Sequence, residues 1–216
     1  HLGFTGFMNA YLLTGDDRFL ECWRRQIEKI NEQGKMIDGR MQYPGMYGDD
    51  GWYNYSPSPY NAGAMEIYYL SMRDEDARRV SGDGWLNYLS GKNPGYPVSV
   101  LRGDLERVRS RVSGMRADAT TPDTRLADDP MKFNPASVGS LIQLMLGGIH
   151  PGHRGSVLHC RLRFFDHLQR RAGLPDDVAV LVDSMDSKKC AFTIVNTSQT
   201  ASRELTVQAG GYAEHR

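Results

Sequence analysis

The sequence has no excess of either charge, few cysteines, no long apolar run and none of the common nucleotide-binding or hydrolase signatures. Its 216 residues carry 26 basic and 26 acidic side chains, mixed along the chain. A nucleic-acid groove or a membrane-binding patch needs a surface of one sign, so neither partner is expected. No apolar stretch reaches the roughly 20 residues that span a bilayer, and no signal peptide is recognisable. Cys22, Cys160 and Cys190 show no disulfide or metal-ligand spacing. Each lies among apolar neighbours and reads as a buried free thiol. A Gly-rich phosphate loop, a GxSxG elbow and an HExxH helix are all missing.

What is present is enough apolar material, 40% of residues, to bury a core. Aromatic residues are plentiful, with 3 Trp, 11 Tyr and 7 Phe. Many of the tyrosines sit among Gly and polar residues, which suits a stackable polar ligand as well as an ordinary core position with a polar tip.

Helical periodicity dominates the first two thirds of the chain. Phe4, Phe7, Met8, Tyr11 and Leu12 share one helix face. Phe19, Leu20, Trp23, Ile27 and Ile30 mark a second helix. Between them Gly15 suits a left-handed helix stop, and Asp16 or Asp17 suits an N-cap, so the two form an antiparallel hairpin. Residues 34–59 break the period with Gly, Pro, Tyr and Asp. That is too long for a plain connector and too aromatic for disorder. A helix is expected from Tyr60, with Ala64, Ile67, Tyr68 and Ser71 facing inward. Further helical turns follow around Trp85–Leu89, Leu105–Met115 and Val138–Met145. After Pro151 the period drops towards two: 158–165, 178–185, 190–196 and 203–208 read as strands, with no helix between them. The expected class is α+β, with a helical-hairpin domain over 1–150 and a small antiparallel β-domain over 151–216.

The stretch HLGFTGFMNAYLLTGDDRFLECWRR resembles the helix–TGD–helix hairpins of α/α-toroid carbohydrate-active enzymes, which include polysaccharide lyases and six-hairpin glycosidases. The resemblance implies antiparallel hairpins of a partial α/α toroid. It also implies substrate residues on the rim loops and, in the lyase branch, a β-sandwich after the toroid. His1 resembles the His that opens a comparable helix in alginate-lyase-like enzymes. Five or six helices are recognisable, fewer than a closed ring takes, so either the front of the ring precedes His1 or the fold is an open helical layer, the first being the expectation. An extracytoplasmic location would go with degradation of polysaccharide.

The segment MYGDDGWYNYSPSPY is the candidate site. Sugar rings have apolar C–H faces and polar edges, so a carbohydrate site combines aromatic platforms with carboxylates. Here Asp49 and Asp50 precede Trp52, Tyr53, Tyr55 and Tyr60. Hydrolysis needs two carboxyls, ~5–5.5 Å apart for retention or ~6.5–9.5 Å for inversion. Adjacent Asp residues rarely serve one bond together, so Asp49 or Asp50 would act with another acid such as Glu66. Elimination instead needs a base and acid of the Tyr or His type, supplied by Tyr53, Tyr55, Tyr60 or His1, with a cation such as Arg40 to neutralise the uronate. Other readings stay open. Asp49-Asp50-Gly51 is good turn chemistry, the tyrosines suit packing of a long segment, and Glu66 suits a solvated helix face.

No cofactor is required by this reading, though two segments contain metal-ligand types. HPGHRGSVLHC offers His150, His153, His159 and Cys160 to zinc, but neighbours in a strand point to opposite faces. Asp123, Asp128 and Asp129 are of the type that calcium recruits, or simply solvated turn residues. The expected function is action on a poly- or oligosaccharide, with β-elimination of a uronate polymer ahead of glycoside hydrolysis. A non-catalytic glycan-binding or helical scaffold module is the alternative.

Overall fold

The computed structural model describes residues 2–80, 82–121, 134–149 and 157–210. The class is α+β. Among the described residues there are seven helices and eight strands, and every strand pairing is antiparallel. No described helix is long and apolar enough to cross a membrane. The chain divides by packing into two units, the first built chiefly from residues up to Gly82 and the second running from Asp83 through the later helices and strands to Gly210. The expected division at 150/151 follows the change in periodicity. The packing instead groups the three helices after Gly82 with the strands that follow them.

In the first unit, α1 (Leu2–Thr14) and α2 (Arg18–Asn31) form the expected hairpin. Gly15 takes a φ of +66° and donates to the Tyr11 carbonyl, closing α1. Asp16 rather than Asp17 receives the free backbone N–H of α2, from Arg18 at 2.9 Å, while its carboxylate also holds the Arg18 guanidinium. Asp17 instead pairs with Arg73 across the unit. Met8 of α1 and Leu20, Trp23 and Ile27 of α2 are buried, as their spacing implies. Cys22 corrects the cysteine reading: it lies on the outer side of α2 and is exposed, while Cys160 is buried and Cys190 half-buried, all three free.

After α2 come three strands, β1 (Lys35–Ile37), β2 (Arg40–Gly48) and β3 (Gly51–Ser56), in the order β1-β2-β3. The chain then returns through α3 (Ala64–Ser71) and α4 (Asp74–Arg79). Residues 34–59, aperiodic in helical terms, are therefore mostly a β-meander. Tyr60 lies ahead of α3 rather than opening it, and Tyr69 rather than Tyr68 is the buried tyrosine of that helix. Gly63 enters α3 with φ +83° directly over Trp23; a Cβ there would lie 2.2 Å from the indole, so no larger residue fits.

One polar cluster locks these helices together. Arg24 of α2 is buried and donates two parallel hydrogen bonds to Asp76 of α4, at 2.9 and 2.7 Å. Ser71 Oγ and Arg79 add bonds of 2.6 and 2.7 Å to the same carboxylate, which is wholly buried. Burial alone would raise the Asp76 pKa. The hydrogen bonds from Arg24 and Ser71, with the charges of Arg24 and Arg79, outweigh it and hold the carboxyl below the usual range.

The second unit contains α5 (Gly84–Leu89), α6 (Tyr96–Ala117) and α7 (Gly139–Leu146). Its strands are β4 (Leu162–Asp166), β5 (Arg171–Ala172), β6 (Val178–Met185), β7 (Cys190–Asn196) and β8 (Leu205–Ala209). They form two sheets, β5-β4-β8 and β6-β7, close to the four strands expected from the alternating pattern. Trp85, Leu144, Leu162, Phe164, Val180 and Val182 make the core. Asp83 caps α5 by accepting from the N–H groups of Trp85 and Leu86. Trp85, Tyr88 and Tyr96 pack ring against ring beside it. Tyr88 and Tyr96 spend their hydroxyls on the Val182 carbonyl and on Gln143.

The Arg24–Asp76 lock carries a stability prediction. Asp76→Ala leaves a buried guanidinium without its partner and should cost about 3–5 kcal/mol in urea unfolding of the full chain. Glu21→Ala, which removes the exposed second neighbour of Arg24 at 3.7 Å, should cost less than about 1 kcal/mol. Because the Asp76 pKa is depressed, its contribution is fully present above ~3.9, the ordinary unfolded value. It is lost as pH falls through the lower folded value, and the pH dependence below ~4 should flatten in Asp76→Ala.

Candidate functional site

The meander owes its shape to two tight turns. Ile37-Asp38-Gly39-Arg40 is a two-residue hairpin in which Asp38 (φ 49°) and Gly39 (φ 73°) both take left-handed conformations, the geometry that matches strand twist. At the other end of β2, Gly48 opposes Gly51, so Asp49 and Asp50 are the two residues of the second turn, with Gly51 at φ +92°. Both carboxylates are exposed at the tip of the hairpin. The turn chemistry of Asp49-Asp50-Gly51 is thus realised as a turn.

Register sorts the aromatic residues by face. In antiparallel strands, directly opposed residues project from the same side, and the side alternates along the strand. Tyr47 opposes Trp52, Met46 opposes Tyr53, and Pro44 opposes Tyr55. Met36 opposes Met41, which shares parity with Tyr47. One side therefore carries Met36, Met41, Tyr47 and Trp52, and the other carries Met46, Tyr53 and Tyr55. The Tyr47 and Trp52 rings meet edge to face at 4.8 Å, and Tyr47 is 68% exposed. Tyr53 lies close over Gly48 and is also exposed. Between the two site tyrosines, Asn54 holds a left-handed φ of 59° opposite Gly45, whose lack of a side chain leaves room for the Asn54 amide.

The base of the meander is clamped. Asn31, the last residue of α2, accepts from the Tyr60 N–H at 2.7 Å and donates to the Tyr60 carbonyl at 2.9 Å. Tyr55 donates its hydroxyl to the Gln33 carbonyl at 3.4 Å, and the Lys35 ammonium lies 4.1 Å from the centre of its ring. Half-buried Tyr60 has its phenol pKa pushed up by burial.

The expected site residues are therefore distributed rather than convergent. Trp52 and the pair Tyr53/Tyr55 project from opposite sides. Arg40 begins β2 and Asp49 follows its end, a separation of roughly 30 Å at ~3.3 Å per residue, so Arg40 is remote from the tip. Glu66 sits half-buried on α3, outside the meander. His1 lies outside the described residues, as do His150, His153, Asp123, Asp128 and Asp129. His159 and Cys160 are described and buried. Among the described residues no three His, Cys, Asp or Glu side chains gather as metal ligands would. Two residues of the meander escaped sequence reasoning as site members, Tyr47 and Lys35. Tyr47 was visible as the partner of Trp52 across a Gly-Asp-Asp-Gly turn; nothing local marks Lys35.

Chemically, this arrangement offers two rings and two methionines on one exposed side, with two carboxylates at its end. It can stack on an apolar face and accept hydrogen bonds beside it. A family model described as a domain of unknown function, DUF8034, matches residues 81–142, all but the first two of which fall in the second unit. No curated protein and no solved structure matches the chain.

Trp52 should be the reporter of this surface, because Trp23 and Trp85 are buried at 2% and 0% exposure. Acrylamide should quench a minor, red-shifted part of the tryptophan emission, and Trp52→Phe should remove most of that part. Unchanged quenching in the variant would place Trp52 inside.

Proposed function

We propose that the chain is the glycan-contacting part of a carbohydrate-active protein and that the β2–β3 hairpin is its sugar-binding surface. The observation that carries this reading is the Tyr47–Trp52 pair, held edge to face on an exposed side with Asp49 and Asp50 at the adjoining turn. A ring presented to water by a rigid two-stranded support can stack on the C–H face of a pyranose. Carboxylates at the edge accept hydrogen bonds from its hydroxyls. The α1–α2 hairpin, with its Gly15–Asp16 turn, supports the related reading of that element as one hairpin of a partial α/α toroid, with the meander inserted after it as a rim element.

Three features weigh toward binding rather than cleavage. The hydroxyl of Tyr55 is turned to the Gln33 backbone carbonyl at the base of the meander, away from the tip where a chain would be cleaved. Arg40, the cation proposed to neutralise a uronate, is at the far end of β2. Asp49 and Asp50 at the tip repel a polyuronate, so a neutral glycan is the better ligand.

Calorimetric titration of the chain with neutral soluble polysaccharides and with polyuronates should show binding to a neutral polymer. Tyr47→Ala and Trp52→Ala should each weaken it about tenfold, or 1.4 kcal/mol, with little effect of Tyr53→Phe. A rise in ultraviolet absorbance on a polyuronate that Tyr53→Phe or Tyr55→Phe abolishes would replace this reading with β-elimination. Release of reducing sugar without that rise would replace it with hydrolysis.

A further inference from the structure

The longest of the described helices packs Tyr96 and Val100 against the core of its unit but leaves a second row of apolar residues partly uncovered. None of the 22 residues of α6 (Tyr96–Ala117) is fully buried, yet its apolar residues are not scattered. Val98, Leu101, Leu105, Val108, Val112 and Met115 follow each other at alternating steps of three and four, the a/d pattern of a coiled-coil seam. Val98, Leu101, Leu105 and Met115 are exposed at 55, 37, 55 and 48%. The seam runs for roughly 26 Å at 1.5 Å per residue.

Its two flanks differ. On one, Asp104 bonds to Ser137 and Arg107, and Arg111 donates to the Asn134 and Ala136 carbonyls, so the segment leading to α7 already covers that side. Along the other run Arg102, Arg109 and Arg116, one per heptad at the position that flanks a coiled-coil partner. All three are exposed, and among the described residues none has an ion-pair or hydrogen-bond partner. Glu106 lies further round the helix behind this row and is also exposed.

We propose that α6 is a docking helix for an amphipathic partner helix that carries apolar a/d residues and a row of Glu or Asp at its flank. The arginine row selects this occupant. In an antiparallel pairing of two copies, the row would face itself. In a parallel pairing Arg116 would face the partner copy's arginine at 111, and only Asp104, already bonded within its own chain, would meet an arginine. A bilayer fits less well, because the covered flank stands beside the seam, and a membrane-surface helix carries cations on both edges of its apolar face. Negative residues on a separate helix satisfy the row and cover the seam together.

The test uses the full chain and two labelled helical peptides with leucine at a and d, one with glutamate at the flanking positions and one with lysine there. Fluorescence anisotropy should show the glutamate peptide binding at least tenfold tighter, with the preference weakening as salt rises. Leu105→Asp should abolish binding. Arg102→Glu/Arg109→Glu/Arg116→Glu should invert the preference, and both variants should keep the wild-type circular dichroism melt because every altered side chain is exposed. Equal binding of the two peptides, or a preference unmoved by the triple reversal, overturns the proposal. So does self-association in sedimentation that Leu105→Asp removes, or retention on phosphatidylserine vesicles without binding of either peptide.

Discussion

The first unit depends on a charge that has nowhere else to go. Arg24 points from the buried face of α2 into a space where water cannot solvate it, and Asp76, Ser71 and Arg79 complete a network that satisfies both ions. A buried pair of this kind adds less to stability than its hydrogen bonds suggest, because both ions were desolvated to make it. What it supplies is geometry, since a guanidinium and a carboxylate joined by two parallel bonds accept only one relative placement. That placement fixes α4 against α2. With Gly63 seated on Trp23 and Asn31 bonded to the backbone of Tyr60, it closes the chain on either side of the meander.

Held at its base, the meander can afford an exposed end. A free two-stranded hairpin is marginal in water, and this one leaves Tyr47, Met46 and Tyr53 largely in solvent. Support comes from the third strand, the Asp38-Gly39 turn, the Tyr55 hydroxyl's bond to the Gln33 carbonyl and the Asn31 bonds to the Tyr60 backbone. Rings left in water on a rigid frame lose little freedom when a ligand covers them, which is the economy of a preorganised binding surface.

Much of this was legible in the residues. The α1–α2 hairpin follows from its apolar spacing and its Gly-Asp turn, and the later strands follow from alternation. The meander was harder to see, because its strands alternate between two half-exposed sides and carry Gly and Pro, which mask a period of two. Its clearest sign, Asp38-Gly39 between Met36-Ile37 and Arg40-Met41, is a type I′ hairpin signal that a search for helices passes over. The dispersal of the candidate site could not be read locally. Whether Trp52 and Tyr53 share a side depends on strand register, and the distance from Arg40 to the tip depends on the chain between them being extended. Nor does any neighbour of Arg24 announce its partner, which lies 52 residues away in the chain.

The central claim is spatial, so the most direct measurement is a map. Hydrogen–deuterium exchange of the chain with and without a bound neutral polysaccharide should show protection confined to peptides covering residues 43–56, with α3 and the second unit unchanged. Protection that spares the β2–β3 hairpin and falls elsewhere would contradict the account.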